Sequence, residues 1–203
     1  MNTKERIIEA AREEFTTRGF ENISMRELAR KARCTTGAIY GIFDGKEDLF
    51  RACVEEDIEY IKFRMDEADK NFHLPENPEE QEPYMRNHIS TIITLLSELF
   101  TTYEKSLAMV LRRGEGKVYD DLMTFLWRMK YEANLAFYSK TTGGTELNDQ
   151  VKLVISIMSR STINAILAMM KKNWTVDEKK EYLSKIIGFQ RAGWIYLTEK
   201  ENE

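Results

Sequence analysis

The sequence predicts an all-α protein, and three observations carry that expectation. Apolar residues recur every three or four positions through one segment after another, all three prolines (Pro75, Pro78, Pro83) fall in a single short stretch, and no segment shows a strand pattern of matching strength. Several S/T-x-x-E sequences and isolated glycines mark where helices start and stop. With 203 residues, 42% of them hydrophobic and 32% charged, the chain can bury a sizeable core as one or two domains.

The elements follow in order. Ile7, Ile8, Ala11 and Phe15 define an amphipathic first helix over residues 3 to 18, stopped by Gly19. Ser24-Met25-Arg26-Glu27 has the form of a capping box, so a second helix starts at Met25 with Leu28, Ala29 and Ala32 on its apolar face. Thr35 is placed to cap a third short helix, from Thr36 to about Ile42, which buries Ile39 and Ile42. Lys46 opens a longer helix, capped through Asp44 with Glu47 or Gly45 with Asp48. The stretch from His73 to Pro83 is the expected linker. Ile89 through Tyr103 give a continuous helical pattern, and Gly114 and Gly116 interrupt before a helix through Leu122, Phe125 and Met129. Thr141-Thr142-Gly143-Gly144 terminates it, and two helices remain, about 146 to 172 and 176 to 198, the latter behind the capping box at Thr175.

The stretch "CTTGAIYGIF", residues 34 to 43, is too short and too polar to be a core helix. Two short helices joined by a tight turn, with a support helix ahead of them, make a helix-turn-helix. The residue types suit groove entry: threonine hydroxyls can bond base edges, Gly37 and Ala38 let the backbone approach, and Tyr40 can reach a phosphate. The net charge is -4, yet Arg26, Arg30, Lys31 and Arg33 face Glu27 alone between Ser24 and Phe43. A local basic surface on an acidic chain favours one docking face over indiscriminate binding.

With those residues in view, positions 3 to about 54 resemble the DNA-binding domain of the TetR family of transcriptional regulators. The resemblance rests on Gly19-Phe20, Ser24, Leu28-Ala29, Ala32, Thr35, Gly37, Ile39-Tyr40, Phe43, Lys46 and Leu49. It implies a three-helix DNA-binding domain over residues 1 to 46 and a larger helical effector-binding and dimerisation domain over 47 to 203, roughly nine helices in all. The implied DNA contacts are Ser24, Arg26, Arg33, Thr35, Thr36, Gly37, Ala38, Tyr40 and Lys46. Among these, Thr36 and Gly37 sit at the major groove, Tyr40 on the backbone, and Lys46 on a phosphate at a helix start. Arg33 and Cys34 stand where the family usually has glycine and valine, so Arg33 is expected in a left-handed conformation at roughly 1 kcal/mol.

Beyond residue 54 the likeness is architectural. Phe100, Tyr103, Met109, Phe125, Trp127, Met129 and Met158 are candidate lining for a small, mostly apolar effector, since aromatic walls and thioethers adapt to such a ligand. Arg112, Arg113 and Lys117 in "RRGEGK" are either a solvated loop or a grip on an anion. The family's dimer face falls on the last two helices, through Val151, Ile155, Met158, Ile166, Ile186, Phe189 and Gly193. The expected partners are thus a near-palindromic double-stranded operator, an effector and a second copy of the chain.

Other classes fit less well. A di-iron bundle needs Glu-x-x-His pairs, which neither His73 nor His88 supplies, and no Cys-His cluster or G-x-S-x-G elbow is present. No metal, cofactor or enzyme activity is expected. Control by a protein partner instead of a small molecule is the alternative. Cys34 and Cys53 form no disulfide framework and "MNTKERIIEAAREEF" contains no apolar leader, so a cytoplasmic location away from any membrane is expected.

Overall fold

The computed structural model describes residues 1–142 and 147–199. Over these the chain forms nine α-helices and no strand: α1 (Thr3–Arg18), α2 (Met25–Lys31), α3 (Thr36–Tyr40), α4 (Lys46–Lys70), α5 (Pro78–Thr102), α6 (Glu104–Arg113), α7 (Lys117–Thr141), α8 (Asp149–Met170) and α9 (Val176–Glu199). The expected Gly143-Gly144 terminator and a helix start at 146 lie outside the described residues.

Two compact units result, residues 1–63 with 103–122, and residues 64–102 with the chain from 123 onward. The division therefore does not fall at residue 46. The apolar face of α4 runs without interruption from Leu49 and Phe50 to Ile58 and Ile61, all buried, so most of this helix belongs to the first unit's core.

In the first unit Ile7, Ala11 and Phe15 of α1, Leu28 of α2, Ile39 of α3 and Leu49 of α4 are fully buried. Phe15, Phe20 and Phe50 form a ring cluster with centroids 5.3 to 5.6 Å apart. The structure also breaks the long helix expected up to residue 113, ending α5 at Thr102 and starting α6 at Glu104. The break frees α6 to pack on α1. Leu107, Met109 and Val110 are buried there, at about 1.5–3 kcal/mol for each such side chain.

Polar groups fasten α6 as well. Ser106 donates to the Asp57 carboxylate of α4. Arg112 donates to the last-turn carbonyls of Thr16 and Thr17 at 3.1 and 3.3 Å, satisfying acceptors that α1 leaves open. Arg113 makes a two-pronged ion pair with Glu47, at 2.9 and 2.6 Å, and its guanidinium lies 3.7 Å from the Phe20 ring centroid. Both arginines of "RRGEGK" are thus structural.

The linker is shorter than expected. Pro78 takes the first position of α5, where its missing N–H is no loss, and Pro83 lies inside the helix. Pro83 removes one bond, to the carbonyl of the exposed Glu79, which water can satisfy. In the second unit α9 packs against both α5 and α8, and Tyr138, Val151 and Ile155 form a buried cluster joined by Leu135 and Trp194. By length and composition α8 is apolar enough to cross a membrane. It nevertheless carries Lys152 and Arg160, and it buries Ile155, Ser159 and Ile163 within this unit.

Gly116 has φ +88°, and a Cβ there would stand 2.8 Å from the Arg113 guanidinium carbon, which is pinned by Glu47 and Phe20. Gly116→Ala is therefore expected to lower unfolding free energy by about 1–2 kcal/mol, from backbone strain and displacement of that guanidinium. Urea denaturation of the two proteins measures it; equal midpoints would show that Arg113 moves without loss.

Candidate nucleic-acid interface and interior cavity

The five-residue α3 is held by its flanks. Thr35 is its N-cap, accepting the Ala38 N–H at 3.1 Å. Ile39 is fully buried, and the chain turns after Tyr40 so that Phe43 is buried while Ile42 is exposed. The expected burial of Ile42 is thereby corrected: the helix ends two residues early, and Phe43 takes the inward position, its N–H bonded to the Ile39 carbonyl at 2.9 Å. The turn from α2 passes through Arg33 at φ +53°, the left-handed conformation. The Cys34 N–H then reaches back to the Ala29 carbonyl at 3.0 Å, which closes α2.

Tyr40 is 55% exposed, Gly37 is exposed, and Thr36 and Ala38 are half-buried on the same short helix. Ser24 is committed elsewhere: its hydroxyl accepts from the Glu27 N–H at 3.2 Å and donates to the Glu27 carboxylate at 2.8 Å. Lys46 is half-buried at the first position of α4, with Nζ 4.4 Å from the Phe20 ring centroid, and burial lowers its pKa.

The structure sorts the local charges. Lys31 is neutralised by Glu13 and Glu14 of α1, at 2.7 and 2.5 Å, and Glu27 is paired with Arg18 at 3.0 Å. Arg26, Arg30 and Arg33 are exposed and make no ion pair among the described residues. Arg30 was visible in the sequence as a charge but carried no marker as a contact; only the neutralisation of its neighbour Lys31 distinguishes it.

The second feature is a cavity of about 260 Å³ within the second unit, lined by Met65, Asp69 and Phe72 and by residues of α5, α7, α8 and α9. Of the residues expected to line a ligand site, Met129 does so. Phe100 is buried in the core, Phe125 and Met158 are half-buried away from the cavity, and Trp127 stacks on Tyr131 with Arg160 over its ring. Tyr103 and Met109 belong to the first unit, Tyr103 against Tyr60 and Met109 buried in α6. Helical period alone does not say which neighbour an aromatic face meets, and the break at Tyr103 redirects the residues after it. Aliphatic residues, Ile89, Ile92, Ile163 and Leu183 among them, form the walls instead.

Polar groups are few and mostly paired. Asn134 donates to Ser159 Oγ at 2.9 Å, Gln190 donates to Thr162 Oγ1, and Arg191 is ion-paired with Glu82. His88 packs against Phe72, with ring centroids 4.7 Å apart, and burial followed by the nearby Lys130 charge lowers its pKa. Burial likewise lowers the pKa of Lys130, and Asp69 partly opposes that shift.

The expected dimer residues divide. Val151 and Ile155 are buried in the chain's own core, and Ile166 and Ile186 line the cavity. Phe189 is 75% exposed, and a Cβ on Gly193 would meet nothing within 4 Å. Leu153 and Ile157 of α8, 61% and 56% exposed, are apolar surface outside the expected dimer residues. A stripe wide enough for two neighbours does not reveal which half faces inward.

These features define a helix-turn-helix protein whose separate helical unit encloses an apolar cavity. The sequence profile of the bacterial regulatory proteins of the tetR family matches residues 7–53. The transcriptional regulator UidR of Escherichia coli is 31% identical over 98 residues, 48% of this chain and 45% of UidR, so the chain spans about half the length of the curated relatives it matches. The fold matches SmeT, the repressor of the Stenotrophomonas maltophilia multidrug efflux pump SmeDEF, with TM-score 0.62 at 16% identity over 93% of this chain and 90% of SmeT. It also matches AibR, solved with isovaleryl coenzyme A and operator DNA, with TM-score 0.62 at 15% identity over 91% of this chain and 97% of AibR. These two likenesses are of fold alone.

The cap at Ser24 predicts a measurable acid response. Hydrogen bonds from Ser24 and then Arg18 hold the Glu27 carboxyl down to about 2. A lowered folded-state pKa contributes stability above the unfolded value of roughly 4.3, and that stability is lost as pH falls through about 2. Ser24→Ala is expected to cost about 1 kcal/mol at pH 7, and the difference from wild type should shrink between pH 4 and 2. A pH-independent difference in denaturation midpoint would mean that the cap does not depend on the ionised carboxylate.

Proposed function

We propose that this protein is a cytoplasmic transcriptional repressor that binds a near-palindromic operator as a homodimer and is released by a small, mostly apolar effector. The observation that carries the DNA-binding part is the capped, groove-sized α3 with three uncompensated arginines close to it in sequence, on a chain that is otherwise acidic. Arg26, Arg30, Arg33, Tyr40 and Lys46 serve as phosphate contacts in this reading, with Thr36, Gly37 and Ala38 at base edges and Thr35 shaping the helix start. The tetR-family match over residues 7–53 supports it.

Dimerisation is supported by apolar surface on α8 and α9. Phe189, Leu153 and Ile157 are exposed, and the bare backbone at Gly193 admits close approach of another helix. An effector site is supported by the cavity. Release requires the effector to favour one arrangement of the dimer, since equal affinity for both shifts nothing. The candidate lever is α4, a continuous helix that supplies Lys46 beside the helix-turn-helix and Met65 and Asp69 to the cavity.

Selection of bound sequences from a random DNA pool tests the DNA reading. A palindromic consensus is expected, with half-sites about 34–36 Å apart or a multiple of the helical repeat. Tyr40→Phe should weaken binding to all sequences, Lys46→Ala should reduce the salt slope by about one unit, and Thr36→Ala should change base preference. Identical responses of all three on selected and random DNA would remove α3 as the recognition helix.

Gly193→Leu addresses the interface, because a Cβ at this position meets nothing within 4 Å among the described residues. Light scattering is expected to show a folded monomer. A variant that stays dimeric would place the interface elsewhere.

A further inference from the structure

The cavity holds a charge that no ion pair balances among the described residues. Lys130, on α7, projects among walls that are almost wholly aliphatic and aromatic, and it makes no hydrogen bond or ion pair among the described residues. Three other polar groups of the lining are already matched, Asn134 with Ser159, Gln190 with Thr162 and Arg191 with Glu82, and the His88 ring packs against Phe72. Asp69, the carboxylate whose charge opposes the effect of burial on Lys130, is exposed, whereas the lysine is half-buried among the cavity walls. An ammonium set among apolar walls loses part of its hydration, and an incoming anion can replace what is lost. Burial has already lowered the lysine's pKa, and a bound anion would raise it again.

The anion's chemistry follows from what surrounds Lys130. One free ammonium matches one negative charge. Both cationic side chains of the lining are accounted for once Arg191 is paired with Glu82, so a doubly charged phosphate would bring a second charge with no partner. The walls, Ile89, Ile92, Met129, Ile163 and Leu183 among them, offer contact to hydrocarbon and little to a polyol or a peptide. Resting on the reading of this cavity as the effector site, we infer that the effector is a hydrocarbon-bodied molecule carrying a single carboxylate, which seats on Lys130 Nζ while its apolar body fills the chamber.

Octanoate, octan-1-ol and octylamine, titrated calorimetrically into the full-length protein, share one tail and differ in head group. The carboxylate is expected to bind at least tenfold tighter than the alcohol, and the amine more weakly than either. Lys130→Met should abolish the preference for octanoate while retaining the alcohol, and Lys130→Arg should keep it. The wild-type comparison decides the matter even if a variant fails to fold. Equal binding of acid and alcohol overturns the inference, as does failure of all three to bind, and tightest binding of the amine assigns the head-group contact to Asp69 instead. Titration of octanoate with and without the selected operator separates the two proposals. Tight, Lys130-dependent binding with one affinity in both would defeat release by this effector and leave the head-group assignment standing.

Discussion

A helix of five residues cannot hold itself together, and the organisation of the first unit follows from that constraint. One turn of helix fixes several dihedral angles for few hydrogen bonds, so Thr36–Tyr40 depends on what flanks it. Thr35 closes the open end, Ile39 is driven inward, and Phe43 locks the exit. Burying Ile39 and Phe43 on one side leaves Tyr40 and Gly37 on the other, which is how a hydrophobic requirement produces a polar, accessible face. The left-handed Arg33 belongs to the same arrangement: a tight turn between two short helices needs one such residue, and here a side chain that can meet a phosphate takes the place of glycine.

The support comes partly from a distant part of the chain. Phe15, Phe20 and Phe50 pack the start of α4 against α1, and Arg113, more than sixty residues further along the sequence, covers Phe20 and binds Glu47 in the first turn of α4. That ion pair is largely sheltered on the arginine side, so it differs from the exposed pairs along α4 and α9, which contribute little. Gly116 is the local condition for it, since any larger residue would compete with the guanidinium for space. The Gly-rich turn after α6 is therefore a positioning element for the first unit, and Arg112 and Arg113 are committed to these contacts.

In the second unit the same economy of polar groups gives the cavity its character. Asn134, Ser159, Thr162 and Gln190 are used to fasten α7, α8 and α9 to one another. Once these are satisfied, Lys130 is left as the distinctive group, and a chamber that would otherwise accept any apolar molecule acquires a preference for charge. The apolar residues Phe189, Leu153 and Ile157 of α8 and α9 have the complementary property: they stand exposed among the described residues.

The local elements were legible in the sequence by itself. The capping boxes at Ser24 and Thr175, the cap at Thr35 and the stop at Gly19 depend on residues within four positions of one another, and so do the helix-turn-helix and its left-handed arginine. What only the tertiary structure decided depends on which face meets which neighbour. Hydrophobic period identifies a stripe but not its partner, so Val151 and Ile155 turned inward while Leu153 and Ile157 stayed outside, and Tyr103 and Met109 joined the first unit instead of a ligand site. Charge behaves in the same way. Lys31 and Arg30 are indistinguishable as letters, and Lys130 looks like any other lysine on a helix, because neutralisation and desolvation are properties of the surroundings that long-range packing supplies.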